Sequence, residues 1–311
     1  MLSLLQSIDR GLDRLIPVTT PLAVALGLFF PDVFSFFRPF VVPLFSVMTF
    51  SGALKLTVSE LGNAVKSPFP ILLFFFTSHI LMPLAALGTS SAFFTDGNIV
   101  TGFILLFAGP TAVSGFIWIT IFKGDKALGL TLILFDTLLA PLVVPATLYI
   151  FAGTKTTMDM SGIAVSLIFM VVVPTILGVM LNETSKGKIP SAICPALNPF
   201  AKICLMLVIA ANSSAIAHVI KFNDPLVWAI AALCIFLTSL GFLLAKLNGI
   251  AAKCEKEKRD TLVFAGGLRN NSAVMTIAVT FFPEAAVLPA VLSIVFQQIV
   301  TAVMGKLIIK K

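Results

Sequence analysis

The sequence predicts an all-α membrane protein of ten transmembrane helices, built as two inverted five-helix repeats with the fourth and ninth spans broken. Three observations predict it: the hydropathy, the placement of basic residues, and a tripeptide that recurs half a chain apart. Of the 311 residues, 58% are hydrophobic and 11% charged, and the mean hydropathy is +1.07. That composition belongs to integral membrane proteins. At about 20 apolar residues per span, ten spans and their loops use up the chain and leave no room for a soluble domain. We therefore expect a single membrane domain over 1–311.

Taken in order, the apolar runs place spans at 15–31, 37–54, 68–87, 97–122, 127–152, 161–182, 198–220, 225–246, 261–282 and 285–306. Ahead of the first, Met1 to Arg14 mixes Leu2, Leu4, Leu5, Ile8 and Leu12 with Asp9, Arg10, Asp13 and Arg14. This reads as an amphipathic stretch, not a cleavable signal. Cys194, Cys204, Cys234 and Cys254 have neither paired spacing nor nearby histidines, so packing is expected of them and no disulfide or zinc site.

With the N-terminus inside, seventeen Lys/Arg fall in inside segments, among them Lys123, Lys126, Lys253, Lys256, Lys258 and Arg259, against three outside, Arg38, Lys155 and Lys221. This bias supports the ten-span count and puts both termini in the cytoplasm, as in a bacterial inner membrane. The net charge of +7 thus reads as topology, and no nucleic-acid partner is expected.

Phe107-Ala108-Gly109 in the fourth span recurs as Phe264-Ala265-Gly266 in the ninth, 157 positions later. Both copies interrupt a long span with Gly, Pro or polar residues. Five spans per half is odd, so the second half enters the membrane from the opposite side. The result is an inverted repeat, 15–152 against 161–306, and broken helices at matching places mark a substrate or ion site where they cross. The expected breaks are Gly109, Pro110 and Gly115 in one span and Gly266 and Gly267 in the other.

Arg269 stands deep in the ninth span, followed by Asn270, Asn271 and Ser272. A charge at a helix centre costs about 2.5 kcal/mol or more, so such residues are functional by default. Snorkelling toward the basic loop ending at Arg259 is the plain alternative, but it leaves the polar residues after Arg269 without a purpose. Pro110, Thr111 and Ser114 are the matching candidates in the fourth span, and Gln297 and Gln298 in the tenth either line the same cavity or bond between helices. Asp136, near the middle of the fifth span, either balances Arg269 as a buried ion pair or carries a proton. His79 lies well inside the third span, whereas His218 lies near an outer end of the seventh, and His79 is a packing group or a proton carrier. No His-Glu-x-x-His, Gly-x-Ser-x-Gly or paired acidic motif points to an enzyme, and no ring of like residues points to a channel.

Gly109-Pro110-Thr111-Ala112-Val113-Ser114, Lys123-Gly124-Asp125-Lys126-Ala127-Leu128, Asp136 to Pro141, Gly267-Leu268-Arg269-Asn270-Asn271-Ser272 and Phe282 to Pro289 resemble the crossover segments of the bile acid:sodium symporter family. The resemblance extends over most of the chain. It implies a panel of spans 1, 2, 6 and 7, a core of spans 3–5 and 8–10 with spans 4 and 9 crossing at the site, and alternating-access movement of organic anions, usually with two sodium ions.

The chain departs from that family where the ions are held. The family's ninth-span glutamate position falls on Ala265 and its glutamine on Arg269, with the asparagine retained as Asn270; the fifth-span hydroxyl positions fall on Gly129 and Ile133. A hard cation wants several oxygen ligands. We therefore expect Arg269 to stand in for the sodium charge, making the chain a carrier of a small organic anion that does not use the usual two sites. No metal and no cofactor is expected. A sodium symporter with relocated ion sites, and a membrane anion sensor that transports nothing, are the other readings.

Overall fold

The computed structural model describes residues 18–54, 56–57, 68–153 and 159–309. The amphipathic Met1–Arg14 stretch and the basic residues Lys55, Lys66, Lys155, Lys310 and Lys311 lie outside these. Among the described residues all regular structure is helical. The chain divides into two compact units, one from Met1–Val58 with Val165–Val219, the other from Ser59–Ala164 with Ile220–Lys311.

The first unit contains α1 (Val18–Phe29), the short α2 (Pro31–Ser35), a 3-10 turn over Arg38–Phe40, α3 (Val41–Ala53), most of α8 (Met160–Ser185) and α9 (Lys188–Ser214). Polar groups tie these apolar helices together. Asn182 of α8 donates to the Leu56 carbonyl at 2.8 Å, Ser51 of α3 donates to Asn198 of α9 at 3.1 Å, and Arg38 Nε donates to Ser214 at 3.1 Å. Such bonds add to packing where lipid provides no hydrophobic drive between helices.

The second unit contains α4 (Pro68–Phe93) and α7 (Lys126–Ala152), with α5 (Gly97–Ala108) and α6 (Gly115–Ile121) between them. It continues with α10 (Pro225–Ala251), α11 (Lys256–Gly267), α12 (Asn271–Phe281) and α13 (Glu284–Ile308). Three of these helices start on an aspartate cap: Asp96 accepts from Asn98 N, Asp125 from Leu128 N and Asp224 from Leu226 N. A carboxylate there satisfies otherwise unpaired N–H groups and meets the positive end of the helix dipole. Within α4 a wider π turn covers Thr77–Leu81, just ahead of Pro83. Proline has no N–H and its ring crowds the carbonyl four residues back, and the extra residue in the turn absorbs that clash.

Among the described residues six helices, α4, α7, α8, α9, α10 and α13, are long and apolar enough to cross a membrane. Large apolar side chains stand outward at the surface, Phe93 75%, Leu142 71% and Phe29 70% exposed, which suits lipid and not water. The chain is an integral, multi-pass membrane protein. The segments expected as spans four and nine are each two short helices: α5 with α6, and α11 with α12.

Glycines set how near the helices of the second unit come. A Cβ at Gly102 of α5 would strike the backbone of Ala286 on α13, whereas one at Gly88 of α4 would meet nothing within 4 Å. Gly102→Val therefore lowers the thermal stability of the purified protein, by about 1–3 kcal/mol as overpacking usually does. Gly88→Ala stays within about 0.5 kcal/mol of the native chain. Thermal unfolding in detergent checks both.

Candidate functional site

In the second unit the two helix breaks interlock. α5 stops at Gly109, whose N–H still reaches the Leu105 carbonyl at 3.0 Å before Pro110 prevents continuation. The chain then runs irregularly to Ser114 and resumes at Gly115 as α6. In the second break Leu268 is extended, with φ −102° and ψ 137°, and α12 starts after Asn270, whose side chain caps it by accepting from Ala273 N at 3.2 Å. The breaks bond to each other directly. Asn270 N–H donates to the Pro110 carbonyl at 2.8 Å, and the Thr111 hydroxyl donates to the Ala265 and Leu268 carbonyls at 2.7 and 3.2 Å.

The positions of the expected break residues differ from the sequence reading. Gly266 and Gly267 end α11 as helical residues, and the chain opens over 268–270. Their role is close packing: a Cβ on Gly267 would overlap the Phe242 ring, and one on Gly266 would lie 3.0 Å from Ala245 Cβ. Gly115 likewise begins α6 instead of interrupting it.

Arg269 is 2% exposed, and its backbone is held as if in a sheet. Its N–H donates to Gln297 Oε1 at 3.2 Å, and its carbonyl accepts from Gln297 Nε2 at 2.9 Å. The guanidinium donates from Nη1 to the Leu268 carbonyl at 3.2 Å and from Nη2 to the Ser78 carbonyl at 3.3 Å. Among the described residues Nε is buried without a hydrogen-bond partner, as are Ser78 Oγ and Asn271 Oδ1.

The Arg269–Asp136 ion pair entertained from the sequence is not formed; among the described residues no carboxylate is within ion-pairing distance of the guanidinium. Asp136 is fully buried on α7 and has other partners. Its Oδ1 lies 2.7 Å from His79 Nε2, and its Oδ2 accepts from Thr111 N at 2.6 Å. Both carboxylate oxygens are thus engaged, by His79 and by Thr111, and neither reaches the guanidinium.

The structure thus brings together Arg269, Asn270, Asn271, Pro110, Thr111, Gln297, Asp136 and His79. Gln298 points elsewhere, accepting from Trp118 Nε1 at 3.3 Å, because it is one residue and so about 100° round the helix from Gln297. Ser114 stands half-buried at the start of α6 with no capping bond. Ser293, not singled out from the sequence, accepts from Asn271 Nδ2 at 2.9 Å. Its spacing of four residues before Gln297 would have put it on the same face of α13. The carbonyls of Ser78, Ala265 and Leu268 have no signature in the sequence at all.

Long apolar helices around a buried polar centre of broken-helix backbone define a multi-pass membrane transporter. Residues 42–223, more than half of the chain, match the sodium bile acid symporter family. The chain belongs to that family, which is one of transporters and not of enzymes. It is 39% identical over 290 residues to YbaS of Bacillus subtilis (strain 168), an uncharacterized protein, covering 93% of this chain and 95% of that one. YocS of the same organism, an uncharacterized sodium-dependent transporter, is 22% identical over 86% of this chain and 83% of its own. The chloroplastic BASS3 of Oryza sativa subsp. japonica, a probable sodium/metabolite cotransporter, is 24% identical over 94% of this chain and 69% of its own.

Gln297→Leu leaves the buried Arg269 N–H unpaired and takes one of two donors from its carbonyl, which keeps the Asn271 N–H at 2.9 Å. Each buried group left unpaired costs about 1–3 kcal/mol, so this variant unfolds at clearly lower temperature than Gln298→Leu, which gives up one bond to Trp118. Paired thermal melts in the same detergent check the order.

Proposed function

We propose that this chain carries an organic monoanion across a bacterial inner membrane by alternating access, with the Arg269 guanidinium as the anion's fixed counter-charge. The observation that carries this reading is a buried guanidinium whose donors, among the described residues, rest on two carbonyl oxygens and no carboxylate. A neutral carbonyl is a weak partner for a full positive charge. A carboxylate or sulfonate offers a charge-assisted, two-pronged bond in its place, and the N-terminus of the 11-residue α12 adds a positive field close by. The positive charge that a sodium ion would bring is then already built in.

On the same reading the ten segments are ten spans in two inverted five-helix repeats, both termini cytoplasmic. The two paired breaks, at 109–114 and 268–270, support the repeat. Spans 1, 2, 6 and 7 form the panel and spans 3–5 and 8–10 the core that move against each other. The composition of the two compact units from these same segments supports that division.

A second reading has its own support, since YocS is sodium-dependent by name and the chloroplast relatives are probable sodium/metabolite cotransporters. There the chain is a sodium symporter whose ion ligands lie away from the usual positions.

Thermal shift on the purified protein separates the two. Taurocholate and pantoate serve as probes, in sodium and in potassium. At a hundred times its Kd a ligand stabilises the folded state by about 2.7 kcal/mol. The expected result is an equal shift in both salts, abolished by Arg269→Ala. A shift that needs sodium and survives Arg269→Ala overturns the fixed-charge reading in favour of the second.

A further inference from the structure

Once an anion sits on Arg269, the charges around the two breaks no longer balance. Among the described residues the charged groups at this centre are Arg269 and Asp136, whose fields reach each other. Asp260, the other buried acid among the described residues of this unit, lies a turn into α11 among the fields of Arg259, Lys256 and Lys246 and so has basic neighbours of its own. With His79 neutral, the empty centre sums to zero. A monoanion added to it leaves one uncompensated negative charge in a medium of low dielectric, which is the costly situation for any buried ion.

His79 is placed to cancel that charge. It is 7% exposed, and its Nε2 faces Asp136 Oδ1 at 2.7 Å. Its Nδ1 is buried with no hydrogen-bond partner among the described residues. When Nε2–H donates to the carboxylate, Nδ1 carries a bare lone pair, and that is where a proton adds. The imidazolium so formed keeps its bond to Asp136, now charge-assisted. The other neighbours are aromatic: the rings of Phe75, stacked with centroids 5.5 Å away, and of Phe74, edge-on at 6.3 Å. The stacked face of Phe75 tolerates a cation.

The pair is also wired to the anion site at both ends. Asp136 Oδ2 holds Thr111 N–H, the Thr111 hydroxyl donates to the Leu268 carbonyl, and Arg269 Nη1 donates to that same carbonyl. Arg269 Nη2 donates to the carbonyl of Ser78, the residue before His79 in the π turn of α4. The chain of contacts is closed, so a guanidinium that turns toward an anion leaves the turn that carries the imidazole.

We propose that His79 and Asp136 form the proton-binding site of the carrier and that one proton is taken up with each monoanion, so that the empty and the loaded centre both have zero net charge. The step balances: anion and proton enter together, the proton adds to the Nδ1 lone pair, and both leave on the other side with no other bond made or broken. This rests on the reading of Arg269 as the anion's counter-charge.

The test is proton uptake on binding, read with a pH dye in weakly buffered potassium medium. The probes are taurocholate, a sulfonate that does not itself titrate near neutrality, and pantoate. The native protein takes up about one proton per anion bound, and over the pH range where it does so its affinity falls about tenfold per pH unit. Asp136→Asn leaves a centre of net positive charge that the anion neutralises alone, so uptake vanishes and affinity no longer follows pH. His79→Gln, which keeps the carboxylate and a donor toward it, also loses uptake. Anion binding by the native protein without proton uptake overturns the proposal, as does uptake that survives Asp136→Asn or that sodium replaces. The native measurement stands even if a variant fails to fold. Absence of any thermal shift by either anion in potassium or sodium defeats the Arg269 reading itself and is recognisable as that separate result.

Discussion

A helix broken inside a hydrocarbon layer exposes N–H and C=O groups that no water reaches, and everything at this centre depends on satisfying them from within. The solution is reciprocal. Pro110, which cannot donate, offers its carbonyl to Asn270 N–H, and Thr111 sends its hydroxyl into the carbonyls left by the end of α11. Gln297 closes the remainder by pairing with both backbone groups of Arg269. Each break completes the other.

Satisfying the backbone in this way also determines where charge can reside. Because Asp136 is committed to Thr111 N–H and His79, it does not reach Arg269, and the guanidinium is left on carbonyl oxygens alone. The familiar expectation that a buried arginine and a buried aspartate in one membrane domain pair with each other fails here for a geometric reason. One carboxylate oxygen is turned to the Thr111 N–H of the crossover and the other to His79, so neither is directed at the guanidinium. Within the second unit the opposite charges are held near one another without contact, and that spacing makes the arginine available to something else.

How much of this was legible in the residues differs from position to position. Asp136 and Arg269 were conspicuous because charge inside an apolar run is rare whatever the fold, and Phe107-Ala108-Gly109 against Phe264-Ala265-Gly266 located the two interruptions to within a few residues. The glycines misled on detail. Gly266 and Gly267 looked like the hinge, yet they remain helical and serve the contact with Phe242 and Ala245, since a missing Cβ permits close packing as readily as it permits unwinding. The division between Gln297 and Gln298 followed from helical phase, but which of the two faced inward needed the neighbours on α6 and at the second break.

The sequence by itself determined what depends on composition along the chain: an all-helical membrane protein, the approximate limits of its apolar segments, the two interruptions, and a fixed positive charge beside one of them. These are properties of a stretch of residues against its solvent, and the hydrocarbon layer sets them locally. Only the tertiary structure decided the partners. That Asp136 takes His79 and Thr111, that Arg269 rests on the carbonyls of Ser78 and Leu268, and that Gln298 turns to Trp118 all depend on side chains and backbone groups distant in the chain. Backbone carbonyls carry no residue identity, so no pattern of letters could have announced them.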